Sequence, residues 1–171
     1  MQAGLDALYQ RRDPTDAVAE FRQVLAVNRE HYGANYQIAV ALDRAQRQQE
    51  ARTYWQTVLE QAQGYGQQDI VRQARARLAS ADRNQVTEWM QTGLDAMYKG
   101  NDPRTAANLF RKVLEQNSTH FGATYQLAKA LDMAGEREEA RRLWPKVLVM
   151  AVKYRDARAA ATARERLKEQ R

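Results

Sequence analysis

The sequence predicts an all-α fold, a helical solenoid of about ten antiparallel helices in two matching five-helix modules, and three observations carry that expectation. Ala, Leu, Arg, Gln and Glu dominate the 171 residues, against only 8 glycines and 3 prolines. Such a composition favours helix almost throughout. Residues 1–82 and 90–171 align without a gap and agree at 37 of 82 positions, mostly apolar or small ones. The chain is therefore an internal duplication. A shorter period lies inside each half: Leu8, Ala17, Phe21, Val24 and Leu25 return about 34 residues later as Leu42, Ala51, Trp55, Val58 and Leu59. The second half repeats the pattern with Met97, Ala106, Phe110, Val113 and Leu114 against Leu131, Ala140, Trp144, Val147 and Leu148.

Within a unit the apolar residues recur at intervals of three and four, the spacing of an amphipathic helix. Asp13 before Pro14, and Asp102 before Pro103, each set a capping carboxylate ahead of a proline in the first turn, where the missing N–H costs nothing. Helices are expected at 2–11, 14–28, 32–46, 48–63 and 68–81, then at 85–100, 103–117, 121–134, 136–152 and 156–170. The chain divides on this basis into modules 1–82 and 83–171, each of two helix pairs and a capping helix. Whether the modules sit side by side as capped units, or inner and outer roles switch along a continuous superhelix, stays open.

Two irregularities stand out. The link before the fifth helix of the first module is QGYGQQD, with Gly64 and Gly66 free to turn, whereas its copy, VKYRDAR, has no glycine. Residues 146–170 could run as one long helix and exchange with another chain. Asp156 can cap a fresh helix, so the hairpin is the favoured reading. Pro145 falls inside the expected fourth helix of the second module, where it removes a backbone bond and bends the chain.

The stretch YQLAKALDMAGEREEARRLW, with Leu127, Ala128, Leu131, Gly135, Ala140 and Trp144 at fixed points, resembles the tetratricopeptide repeat (TPR) family. The resemblance covers four units, 1–31, 32–65, 90–120 and 121–154. Two features depart from it. The proline usual near a unit's end is Arg29, Gln63, Ser118 or Val152, and the large-then-small pair of each first unit is reversed, with Gly4 before Leu5 and Gly93 before Leu94.

The resemblance implies a non-catalytic scaffold that holds a peptide or protein segment in a concave groove lined by the inner helices. In the first module the groove positions are Gln2, Asp6, Tyr9 and Gln10, then Tyr36, Gln37, Val40, Asp43 and Arg44. In the second they are Gln91, Asp95, Tyr98 and Lys99, then Tyr125, Gln126, Lys129, Asp132 and Met133. Tyrosines offer contact area at small entropic cost, and amides satisfy peptide groups. A solvated helix face is the competing reading, with Tyr36 and Tyr125 bracing their neighbours. The carboxylate clamp that the family uses on chaperone tails is missing, because its asparagine places hold Asp6, Val40, Asp95 and Lys129.

Composition bounds the remaining classes. No cysteine is present, which excludes disulfides, thiolate metal sites and thiol nucleophiles. His31 and His120 occupy the same place in the two copies, at the turn into the third helix, and read as structural rather than catalytic. No phosphate loop, paired-carboxylate signature or metal-ligand cluster appears, so neither an enzyme, a cofactor, a metal nor a small-molecule substrate is expected. No apolar run has the length of a membrane span, and the start lacks the features of a signal peptide, which points to the cytoplasm.

The net charge of +6 sits almost wholly in residues 90–171, and the first half contains no lysine. Lys153, Arg155, Arg158, Arg164, Arg166, Lys168 and Arg171 make the last helix basic, a minor case for RNA or an acidic surface. Asp156, Glu165 and Glu169 interleave with them, which makes a solvated helix face the commoner explanation. The main alternative to a groove binder is a protein whose partner is itself, by domain swap or edge-to-edge stacking. Gap-free duplication opening on Met1 and Met90 also fits an engineered tandem of one small domain.

Stacking requires that a small residue let two helices approach while an aromatic ring fills the gap to the next. Phe21→Ala and Trp55→Ala are each expected to cost about 3–5 kcal/mol, measured by chemical denaturation; a loss below about 1 kcal/mol would refute the assigned register.

Overall fold

In a computed structural model of the chain, residues 1–169 are described, and among them every regular element is helical. The elements are α1 (Gln2–Leu5), which continues as a π-helical turn (Asp6–Arg11), α2 (Pro14–Val27), α3 (Tyr32–Arg44), α4 (Gln48–Gly64), α5 (Gln68–Tyr98), α6 (Pro103–Gln116), α7 (Phe121–Ala134), α8 (Arg137–Lys153) and α9 (Ala157–Glu169). Two compact units, Met1–Arg83 and Asn84–Arg171, divide the chain, and α5 supplies its first part to one and its second part to the other.

The expected break between 81 and 85 is absent, because α5 is helical from Gln68 to Tyr98. Residues 81–86, Ala-Asp-Arg-Asn-Gln-Val, contain neither glycine nor proline, so nothing local stops propagation. The count of about ten helices thereby becomes nine among the described residues. The continuous helix considered for 146–170 is also absent. Instead α8 ends at Lys153, Asp156 accepts the Ala159 N–H at 2.9 Å, and α9 starts at Ala157, giving the hairpin. Residues 170 and 171, including Arg171, lie outside the described set. α8 passes through Pro145 unbroken. The proline ring is on the exposed side, where water can reach the carbonyl left without its helical donor.

Helix starts follow the capping chemistry. Asp13 accepts the N–H groups of Thr15 and Asp16 at 3.0 Å, and Asp102 accepts that of Thr105 at 3.0 Å. Less commonly, histidine caps the third helix of each unit: His31 Nδ1 accepts the Ala34 N–H at 3.1 Å and His120 Nδ1 that of Ala123 at 3.0 Å. The two histidines are thereby consumed as acceptors for groups a helix start leaves unpaired.

Each unit has its own core. In the first, Phe21 and Trp55 are buried with Leu8, Ile38, Leu42 and Val58, and Ile70, Ala74 and Leu78 of α5 pack on the same cluster. Phe110 and Trp144 occupy the equivalent places in the second unit, with Leu127, Leu131 and Val147. Ala17, Ala51, Ala106 and Ala140 are at most 1% exposed. The reversed small-large order of the first repeats now has a cause. A Cβ on Gly4 would lie 2.6 Å from the Phe21 ring, and one on Gly93 would lie 2.7 Å from that of Phe110. Each ring rests directly on helix backbone, so no side chain fits.

Six of the described residues have positive φ, and they form three duplicated pairs: Arg12 with Asn101, Gln46 with Gly135, and Gly66 with Arg155. Each follows a helix in the left-handed conformation that closes the C-terminus. One copy of the third turn uses Gly66 and the other bears the strain on Arg155, at φ 69° and 58° respectively. Thermal and chemical denaturation should therefore respond with opposite signs, Arg155→Gly stabilising by about 0.5–1 kcal/mol and Gly66→Ala destabilising by about 1 kcal/mol.

Candidate functional site

In each unit the first, third and fifth helical segments bring polar and aromatic side chains onto one face. In the first unit the Tyr9 hydroxyl donates to Gln37 Oε1 at 3.0 Å, and the Tyr36 hydroxyl donates to Gln73 Oε1 at 3.2 Å. In the second, the Tyr98 hydroxyl donates to Gln126 Oε1 at 3.3 Å and receives a bond from Lys129 Nζ at 2.6 Å. Tyr9, Gln10, Arg44, Tyr98, Lys99 and Met133 are exposed, while Tyr36, Gln37, Val40, Tyr125, Gln126 and Lys129 are half-buried.

Arg44 and Lys129 on this face each lie over an aromatic ring. The Arg44 guanidinium is 4.8 Å from the Tyr9 centroid and donates to the Leu8 carbonyl at 3.0 Å. Lys129 Nζ is 5.1 Å from the Tyr98 centroid and 5.7 Å from that of Tyr125. The two halves therefore deliver positive charge to the same tyrosine from different positions. Tyr36 and Tyr125 have a double engagement: their rings meet Trp55 and Trp144 edge-on, at 5.7 and 6.1 Å, and they also border the polar face.

Asp43 and Asp132 belong as much to the fold as to the face. Trp55 Nε1 donates to Asp43 Oδ2 at 2.9 Å and Trp144 Nε1 donates to Asp132 Oδ2 at 3.0 Å. Arg77 and Arg166 approach the same carboxylates at 3.4 Å. Burial pushes the Asp132 carboxyl up, opposed by the Trp144 bond and the Arg166 charge. At the first segment, Gln2 and Gln91 donate to Asp6 and Asp95 at 2.9 and 3.1 Å. The Lys99 ammonium, 2.9 Å away, holds the Asp95 carboxyl below its usual range, with Gln91 adding to the effect.

The pocket most closely tied to these residues lies in the second unit and has a volume of about 240 Å3. Tyr98, Tyr125, Gln126 and Lys129 line it together with Asp156, Arg158 and Ala159 from the start of α9. By sequence alone Arg158 belongs to a basic outer face and Asp156 to a helix cap. The missed signal was available in the duplication, since positions 69 and 158 align and carry opposite charges, Asp and Arg. Of the other basic residues of α9, Arg166 is tied to Asp132 and Glu169, while Arg164 and Lys168 are exposed.

Among the described residues no group of three or more His, Asp or Glu side chains is placed to hold a metal ion, and no helix is long and apolar enough to cross a membrane. The paired small and aromatic residues, the 34-residue period and the capped helix hairpins define a helical-repeat protein. Family models for the tetratricopeptide repeat match residues 2–66 and 98–144, together more than half of the chain. The chain belongs to the tetratricopeptide repeat family, whose domains bind protein or peptide partners and generally act as non-catalytic scaffolds.

Among solved structures, YrrB, a TPR protein with an unusual peptide-binding site, is 17% identical, with 92% of this chain and 87% of that chain covered and a TM-score of 0.41. The MamA RS-1 ArsTM double mutant is 18% identical over 95% of this chain and 87% of its own, at a TM-score of 0.33. PilF of Pseudomonas aeruginosa is 20% identical over 99% and 89%, at a TM-score of 0.35. No curated protein matches the sequence.

The raised Asp132 carboxyl has a consequence for stability. A carboxyl whose folded pKa exceeds its unfolded one contributes stability at low pH that is lost as pH rises through the folded value. Denaturation across the acid range should show part of this decline, just above the usual carboxylate pKa, disappearing in Asp132→Asn, whose amide oxygen can still accept from Trp144.

Proposed function

We propose that the chain is a non-catalytic scaffold that holds an extended peptide or protein segment on the face formed by the first, third and fifth helical segments of each unit. The observation that carries this reading is the repeated Tyr-Gln-cation arrangement. Tyr9, Gln37 and Arg44 in one unit, and Tyr98, Gln126 and Lys129 in the other, set exposed rings beside amides and cations. Rings provide contact area with few rotamers to freeze, and amides can exchange their mutual bonds for those of a peptide backbone. Gln2, Asp6, Val40, Asp43, Gln91, Asp95 and Asp132 complete the proposed groove. Each unit then acts as two repeats closed by a helix whose alanines or leucines cover the preceding pair. A cytoplasmic place suits such a scaffold.

A second reading, self-association, draws on α8. Val149 and Val152 are 70% and 58% exposed and follow Pro145 at helical spacing, whereas the first unit has Gln56, Glu60 and Gln63 at the matching positions. An apolar stripe gained on one copy is the kind of surface that a second chain covers.

Two measurements separate the readings. Screening an immobilised peptide library, then mapping a bound peptide by NMR, should perturb Tyr9, Gln37, Tyr98, Gln126 and Lys129 and spare Val149 and Val152. Perturbation confined to α8 would refute the groove. Light scattering over roughly a hundredfold range of concentration should return a constant monomer mass for a groove scaffold. Growth in mass that Val149→Gln abolishes would instead make self-association the function.

A further inference from the structure

The two copies of the groove differ most where their charges differ. Lys129 and Arg158 line the second unit's pocket, and the aligned residues of the first unit are Val40 and Asp69. Among the described residues neither Lys129 nor Arg158 is paired with a carboxylate, although at least ten other basic side chains are. Lys129 is half-buried, with its ammonium held by a phenol oxygen and two ring faces. Those neighbours fix the position of the charge without neutralising it. Asp156 is the one carboxylate in the pocket lining, and it is engaged by the Ala159 N–H. In the first unit the matching positions carry no cation, since Val40 is apolar and Asp69 pairs with Arg72, and Arg44, over Tyr9, gives one of its donors to the Leu8 carbonyl.

We propose that the second unit's pocket selects an acidic peptide, seating one Asp or Glu carboxylate between Lys129 and Arg158 with the adjoining residue against Tyr98 and Tyr125, and that the first unit lacks this selectivity. The inference rests on the groove reading above and assigns different ligand classes to two sites of common origin. A carboxylate gains a charge-assisted bond from an ammonium already oriented and partly shielded from water. The amide of a glutamine gains only a neutral one. The tyrosine rings add apolar contact, which distinguishes a peptide from a bare anion.

The test uses the full chain and two short fluorescein-labelled peptides of Leu and Ala, one with Glu and the other with Gln at the same interior positions, followed by fluorescence anisotropy. The Glu peptide should bind about tenfold more tightly than the Gln peptide, and the preference should shrink as salt is raised. Lys129→Val with Arg158→Asp should abolish the preference. Both replacements are the residues that the first unit carries in the same structural positions, so the fold is preserved, which far-ultraviolet circular dichroism checks. The reciprocal pair Val40→Lys and Asp69→Arg should create a second site for the Glu peptide.

Equal binding of the two peptides would overturn the selectivity and leave the groove reading standing. A preference that survives Lys129→Val with Arg158→Asp would overturn the assignment to this pocket. Binding of neither peptide overturns the inference, and the library screen then decides the groove reading separately. Displacement of the Glu peptide by inorganic phosphate at comparable concentration would show a general anion site and overturn the assignment to a peptide.

Discussion

The contact between an aromatic ring and a residue with almost no side chain sets the helix spacing on which the rest of this protein depends. Phe21 on Gly4, and Phe110 on Gly93, bring ring carbons to the distance a Cβ would occupy. Ala17, Ala51, Ala106 and Ala140 serve the same end between paired helices. Because a lone hairpin leaves its apolar face in water, this close approach has to recur, and the recurrence produces a repeat. The tryptophans add direction: Trp55 and Trp144 point their N–H groups at Asp43 and Asp132, which fixes the rotation of the fourth helix of each unit against the third.

A core built in this way leaves one face of alternate helices unconstrained by packing, and there the two copies have separated. The small and aromatic residues of the two units are nearly superimposable in sequence, whereas Val40 and Lys129, Arg44 and Met133, and Asp69 and Arg158 differ in charge or polarity. A cation still reaches the first tyrosine in both units, from Arg44 in one and from Lys129 in the other. Chemistry on the face has thus changed while the geometry beneath it has not, the behaviour expected where function is carried on a rigid scaffold.

Helix ends show the same economy. Asparagine, histidine and aspartate occupy identical turn positions in both copies, yet the left-handed residue that closes a helix is glycine in only one copy of two turns. Tertiary contacts tolerate an arginine or glutamine there because the adjoining helices are already committed by their buried faces.

Most of the fold was legible in the sequence, since periodicity of three and four, Asp-Pro starts and the 34-residue spacing are local signals that survive in a one-dimensional string. Of the pocket lining, Tyr98, Tyr125, Gln126 and Lys129 were legible as positions that the family resemblance implies for a groove. Arg158 and Asp156 were not, because they reach the same pocket from a helix about 30 residues further along, and no periodicity links them to it. The continuity of α5 follows from the lack of any local stop between 81 and 86, and the hairpin after Lys153 turns on the single cap at Asp156. By itself the sequence determined the class of fold, the repeat register and the residues that pack, because each follows from side-chain size and hydrophobicity at fixed intervals. Tertiary structure alone decided which polar groups are spent on one another and which stay available, because pairing depends on distances between helices that are remote in the chain.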